Sequence, residues 1–255
     1  MRTRIRRAAT LCVLAWALAV GQSATVNIGS AGDLVKWANR MATGNKDTVK
    51  LTNDINLEGN EGVFPIGKQL TWEQVDNPKE FKGTFDGQGH TISGLAVADY
   101  SLSGPFMAGL FAKLGDGARV LNLTIGASCN FASYSAGGVA VQASGNVLLQ
   151  DVHNQAYVEG FTAGGLIGVW TGGGGTLTTE RCTNSGNIKA TTPSSSSPAT
   201  ASDTFVGGLV GSAGDGVVSI HNSANSGTMS MGGKRGANEY VGGLVGQCGT
   251  DATAD

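Results

Sequence analysis

The stretch "VGGLVGSAGDGVVSIHNSANSGTM", Val206 to Met229, decides the reading of this chain, because most of it occurs elsewhere in altered form. Its opening phrase returns as "AGGLIG" (Ala163 to Gly168) and "VGGLVG" (Val241 to Gly246), and in worn form as "AGGVAV" (Ala136 to Val141) and "MAGLFA" (Met107 to Ala112). The third residues of these phrases, Gly109, Gly138, Gly165, Gly208 and Gly243, are spaced by 29, 27, 43 and 35 residues. The long interval holds "TTPSSSSPATAS" (Thr191 to Ser202), a polar tract that reads as a loop inserted into one repeat. Self-similarity at this period is the mark of a stacked repeat architecture.

Behind each phrase lies a second segment that aligns without gaps over twelve residues: "VLLQDVHNQAYV" from Val147, "LTTERCTNSGNI" from Leu177 and "VSIHNSANSGTM" from Val218. Positions one, six and twelve are nearly all apolar or small, and position eight is asparagine each time: Asn154, Asn184 and Asn225. Short β-favouring runs broken by turn residues, with no helical period, fit one coil of a parallel β-solenoid. A coil alone cannot bury its inner face, so equivalent residues must stack from coil to coil at about 4.8 Å. The asparagines then form a structural ladder of amides bonded along the axis. The glycines are structural corners, where positive φ or close backbone approach excludes a Cβ. A phosphate-binding reading of "GGLVG" or "TGGGGT" (Thr171 to Thr176) fails, since no helix follows and no Lys-Ser/Thr pair is present.

The N-terminal third differs. "MRTRIRR" followed by "AATLCVLAWALAV" and small residues reads as an export leader, with cleavage after Gly21 or Ala24. The apolar run is too short to span a membrane, so the mature chain is expected to have no spanning helix. "SAGDLVKWANRMATGN" places Leu34, Trp37, Ala38 and Met41 at helical spacing, with Ser30 or Asp33 as cap and Gly44 as stop. This predicts a capping helix at the solenoid's end. The division is therefore a leader over 1–24, an N-terminal cap over 25–80, and repeats over 81–255, with an insertion at 191–202. The last phrase opens a coil without its twelve-residue segment, so an incomplete C-terminus or end-to-end self-association through that coil is expected.

Composition narrows function. The 41 glycines and 40% hydrophobic residues suit a chain of turns and short buried strands. Loss of the leader takes four of the 17 basic residues and none of the 19 acids, leaving a net charge near −6. No basic run remains, which argues against nucleic acid as a partner. Cys129, Cys182 and Cys248 have no C-x-x-C spacing, so neither a disulfide framework nor a zinc site is indicated.

"FKGTFDGQGHTISGL" (Phe81 to Leu95), "GLFAKL" (Gly109 to Leu114), "VLNLTI" (Val120 to Ile125) and the repeated "GGLVG" resemble the secreted and surface proteins that carry the GLUG motif, including repeat regions of IgA-protease-like bacterial proteins. The resemblance covers most of the chain after the leader, with Val141 replacing a glycine in the worn repeat. It implies an all-β, right-handed parallel β-helix outside a cell, secreted or on the surface, and it carries no reaction. The H-E-x-x-H of an attached zinc peptidase is absent.

The expected function is therefore a non-catalytic module for adhesion, attachment or display, with a host or matrix glycan or protein as partner and no cofactor or metal. The alternative is a carbohydrate-active β-helix enzyme, either a polysaccharide lyase or a glycoside hydrolase. Its candidates are Asp86 with His90 nearby, and Asp54, Glu58 and Glu61. Position five of the twelve-residue segment holds Asp151, Arg181 and Asn222, so no carboxylate ladder forms. The sequences around Asp116 and Asp215 ("GDG") read as turns rather than calcium loops. Tyr and Trp residues fall in different registers, which predicts no exposed row of Tyr or Trp.

Overall fold

Stacking in register is what these sequences require, and it is what the computed structural model of the chain shows for the residues it describes, 23–68, 78–99, 106–191, 203–232, 238–249 and 252–254. Strands of successive coils stack into four parallel sheets of twelve, five, five and six strands among the described residues. The first sheet runs through Thr25–Ile28, Thr48–Leu51, Thr84–Asp86, Arg119–Ile125, Val147–Asn154, Thr176–Glu180, Gly216–His221 and Ala252–Ala254. The second, third and fourth follow from Tyr157–Gly160, Thr162–Gly164 and Ile167–Trp170 and their equivalents in neighbouring coils. Among the described residues all pairings are parallel, and the fold is the right-handed parallel β-helix with an N-terminal helix that the sequence predicts. Residues 1–22 of the segment read as a leader, and 192–202 of the insertion, lie outside the described residues.

The alignment of the repeats is the register of the sheets. Val147 pairs with Leu177 and Leu177 with Val218; Val158 pairs with Ile188 and Ile188 with Met229. Inward columns form a continuous apolar core, in which Val120, Leu149, Val158, Leu177, Ile188 and Val218 are fully buried. Helix α1 (Ala31–Arg40) starts at Ser30, whose Oγ accepts from the Asp33 N–H at 3.2 Å and donates to Asp33 Oδ2 at 2.7 Å. It turns Leu34, Trp37 and Ala38 inward. Trp37 meets Phe81 edge to face at 5.7 Å, and Phe81 stacks on Phe111 at 5.3 Å, so aromatic rings fill the N-terminal end of the core. The helix ends at Met41; Gly44 acts later, at φ +71°, in the turn that returns to the sheet.

Two features refine the sequence reading. The corner glycines Gly138, Gly165 and Gly208 have no positive φ; close approach alone excludes a side chain. A Cβ on Gly165 would lie 2.3 Å from the Gly208 carbonyl oxygen and 2.5 Å from Asn184 Cγ. Gly138 meets Asn154 and Gly208 meets Asn225 in the same way, so the glycine column leaves room for the asparagine column across the interior. Positive φ instead occurs at position five of the twelve-residue segment. Asp151, Arg181 and Asn222 lie at φ +53°, +52° and +50°, and Asn122 of the preceding coil at +49°. Asn and Asp tolerate this conformation through local hydrogen bonds; for an arginine it is strained.

Candidate binding surface

Sheet geometry decides which side chains can act together: inward columns are sealed, and outward columns repeat one residue per coil. The asparagine column is inward. Asn154 Nδ2 donates to Asn184 Oδ1 at 2.7 Å, and Asn184 Nδ2 to Asn225 Oδ1 at 2.8 Å. Each amide also bonds its own turn, through Ala156, Gly186 and Gly227. Asn154 and Asn184 have no exposed surface, which places this ladder beyond reach of a ligand. Gly243 continues the glycine column but has no neighbour within 4 Å of a built Cβ.

Asp86 and His90 are not brought together by any hydrogen bond. Asp86 Oδ1 accepts from the Gln88 N–H and from Asn122 Nδ2, both at 3.0 Å, and its other oxygen accepts from the Gln88 side chain. His90 Nδ1 lies 3.2 Å from Asp54 Oδ1. The Thr91 N–H, then His90, hold the Asp54 carboxyl below its usual range. Each acid therefore closes a turn between two coils. Glu61 Oε1 accepts from the Gly59 N–H at 3.0 Å, and the Glu58 N–H donates to Asn56 Oδ1 at 3.1 Å. Asp116 closes its "GDG" turn likewise, accepting from the Asn146 backbone and side chain. Among the described residues no three His, Cys, Asp or Glu side chains converge as metal ligands would.

Outward columns on the first two sheets are polar and cross-linked. Arg181 makes a two-pronged contact to Asp151, Nε to Oδ1 at 2.7 Å and Nη2 to Oδ2 at 2.8 Å, and a third bond to Glu180. These hydrogen bonds from Arg181 hold Asp151 below the usual carboxylate range. Glu159 is part-buried, which works against its charge, yet the Tyr157 hydroxyl at 2.6 Å and Lys189 Nζ at 3.2 Å keep its carboxyl low. His153 Nδ1 sits 2.9 Å from Thr183 Oγ1 of the next coil.

One outward strip is apolar: among the described residues tyrosine and tryptophan form no row of their own, but phenylalanines join two tyrosines into one. At the corner between the second and third sheets, Phe106 meets Tyr134 edge to face at 4.9 Å, and Tyr134 stacks on Phe161 at 5.0 Å with an interplanar angle of 3°. One residue further along, Phe205 stacks on Tyr240 at 5.3 Å. The Phe205 N–H donates to the Phe161 carbonyl oxygen at 2.7 Å, so the two groups adjoin. The spacing carries the mixed row: Tyr134 and Phe161 stand the same distance ahead of Gly138 and Gly165, as Phe205 and Tyr240 do of Gly208 and Gly243. Trp72 and Tyr100 lie outside the described residues. Phe161 is nearly buried and Tyr240 is 41% exposed, so the strip emerges towards the C-terminal coil. The rings stack on one another along the axis, which leaves mainly their edges outward. Connections at this corner are also the variable ones, a single residue at Tyr134 and Phe161 but residues 191–203 and 231–238 in the later coils.

Cys129 and Cys182 are buried, and burial raises both thiols, Cys182 to about 11; Cys248 is exposed. No helix of the described residues is long and apolar enough to cross a membrane.

No protein-family model and no curated protein sequence matches the chain. Among solved structures it is similar to a Bacteroides ovatus protein described as a "putative immunoglobulin A1 protease", with a TM-score of 0.51 and 15% identity, covering 89% of this chain and 84% of that one. At that identity the likeness concerns the fold, a stacked parallel β architecture shared nearly end to end.

Proposed function

We propose that this chain is a non-catalytic β-solenoid module outside the cell, used for adhesion, attachment or display, and related to the GLUG-motif repeats that its glycine phrases resemble. The observation that carries this reading is the aromatic strip from Phe106 to Tyr240, set beside polar, cross-linked outward columns. Contiguous apolar surface on a soluble chain marks a contact site. Glycan recognition by stacking needs a free ring face, and here Tyr134, Phe161 and Phe205 each turn a face to a neighbouring ring. Ring edges in a row suit the apolar side chains of a host or matrix protein better. The similarity to a protein named as an immunoglobulin A1 protease fits an extracellular setting and leaves the reaction of that protein to that protein. The alternative, a carbohydrate-active enzyme acting through Asp86 and His90, is disfavoured by the hydrogen bonds that tie Asp86 to Gln88 and Asn122 and His90 to Asp54.

Matrix-protein and glycan arrays probed with the mature chain at about 1 µM test the proposal, that being the weak end of specific recognition. Binding to a matrix protein that falls at least tenfold in Tyr240→Ala supports it. Release of reducing or unsaturated ends from a polysaccharide panel, abolished by Asp86→Asn, overturns it.

A further inference from the structure

The strand Thr25–Ile28 begins the first sheet, and the residue before it is held at both ends. The Ala24 carbonyl oxygen accepts from the Thr48 N–H at 2.7 Å, and the Ala24 nitrogen donates to Asp47 Oδ1 at 3.0 Å. That carboxylate is fixed independently of Ala24. Its other oxygen accepts from Trp37 Nε1 of α1 at 3.1 Å and from Asn45 Nδ2 at 2.9 Å, and the Asp47 N–H donates back to Asn45 Oδ1 at 3.0 Å. These groups line a cleft of about 320 Å³ with Val26, Arg40 and Met41. A neutral amide is a modest partner for an anion oriented this carefully; an ammonium makes the stronger, charge-assisted bond.

We propose that the export leader is cut between Ser23 and Ala24, and that the new α-ammonium of Ala24 docks on Asp47, fastening the first strand to the helix that caps the solenoid. The proposal rests on the leader reading of the sequence. Ser23 and Gly21 supply the small residues at the two positions that a signal peptidase reads. Cleavage after Gly21 leaves Gln22 and Ser23 ahead of the contact; cleavage after Ala24 puts Gln22 at the second of those positions and removes both Ala24 hydrogen bonds. In the cut, water adds across the Ser23–Ala24 amide. Its oxygen becomes part of the Ser23 carboxylate, the C–N bond breaks, and the Ala24 nitrogen takes up protons to become an ammonium. The charged groups facing it are Asp47, from the loop before the Thr48–Leu51 strand, and Arg40 of α1; the Thr25–Ile28 strand offers only the uncharged Val26.

The full chain exported from a bacterial host, with its N-terminus sequenced, gives the first test. A start at Ala24 is expected. A start at Gln22 or Thr25 overturns the docking, and an intact leader overturns the leader reading beneath it. The second test is the titration of the mature amine, followed by ¹³C NMR after reductive methylation. Its pKa is expected above the roughly 8 of a free α-amino group, returning to about 8 in Asp47→Asn and in a chain that starts one residue early at Ser23. The extended chain keeps Asp47, so its folding is unaffected by loss of that residue. Because pairing raises the amine's folded pKa, the Ala24 chain is more heat-stable than the Ser23 chain below pH about 8, and this advantage is lost as pH rises through the folded value. An unraised amine pKa in the Ala24 chain contradicts the proposal.

Discussion

The same hexapeptide, VGGLVG, occurs at Val206–Gly211 and at Val241–Gly246, and the two copies have different environments. Val206 is 1% exposed and Val241 is 40% exposed. Leu209 and Val210 are fully buried, whereas Leu244 and Val245 are partly so. The first copy has coils on both sides, because Thr204–Gly207 pairs with Thr162–Gly164 and with Glu239–Gly242. Among the described residues the second is the last of its column in the third sheet. Identical residues thus acquire burial, steric limits and energetic weight from the rung that follows. In this fold the core belongs to the stack and to no single repeat.

The largest contrast is expected at the marker glycine. A Cβ on Gly208 would meet the Gly243 carbonyl oxygen at 2.0 Å and Asn225 Cβ at 2.5 Å, while Gly243 has nothing within 4 Å. Gly208→Ala should destabilise by about 3 kcal/mol, the upper range for overpacking, and Gly243→Ala should lie within about 0.5 kcal/mol of the parent. Denaturant unfolding of the two variants reads this difference, and equal effects break the comparison.

Next comes the amide ladder. Asn184→Ala removes the acceptor of Asn154 and the donor to Asn225 at a site with no exposed surface, and should cost about 2–3 kcal/mol, since buried polar partners are left unpaired. Asn225→Ala removes one half-buried partner and should cost about 1 kcal/mol. The valines give a smaller version of the same contrast. Val206→Ala should cost about 2 kcal/mol through lost burial and Val241→Ala less than about 0.5 kcal/mol; comparable losses would show that the second copy is packed as tightly as the first.

The smallest effect concerns acid. Asp47, Asp54, Glu80, Asp116, Asp151 and Glu159 all titrate below their ordinary values through hydrogen bonds that tie one coil or turn to another. A depressed folded pKa adds stability that is present above the unfolded value and lost as pH falls through the folded one. The unfolding midpoint should therefore hold steady between pH about 4.5 and about 8 and decline below pH about 4. A midpoint that rises on acidification would contradict these assignments.

Much of the fold was legible in the sequence because stacking turns register into repetition. Asn154, Asn184 and Asn225 align in the text and bond in space. The helix was legible from its cap at Ser30 and its Leu34, Trp37 and Ala38 stripe. What escaped was what depends on backbone twist or on two residue types sharing one role. Position five showed Asp, Arg and Asn, which as charges have nothing in common; as residues at φ near +50° they form one column. The glycines were legible as places that exclude a Cβ, but that the obstacles are the next glycine's carbonyl oxygen and the asparagine column could not be seen in a linear spacing. The aromatic strip was hidden because phenylalanine and tyrosine share its positions.

Hydrogen exchange compares the two hexapeptides most directly. The Leu209 and Val210 amides donate to the Leu244 carbonyl oxygen at 2.8 and 2.9 Å, inside the stack. Segment 204–213 should exchange at least tenfold more slowly than segment 239–248, a difference of about 1.4 kcal/mol in opening free energy. Equal protection of the two segments in the monomeric chain would contradict the claim that burial is conferred by the neighbouring coil.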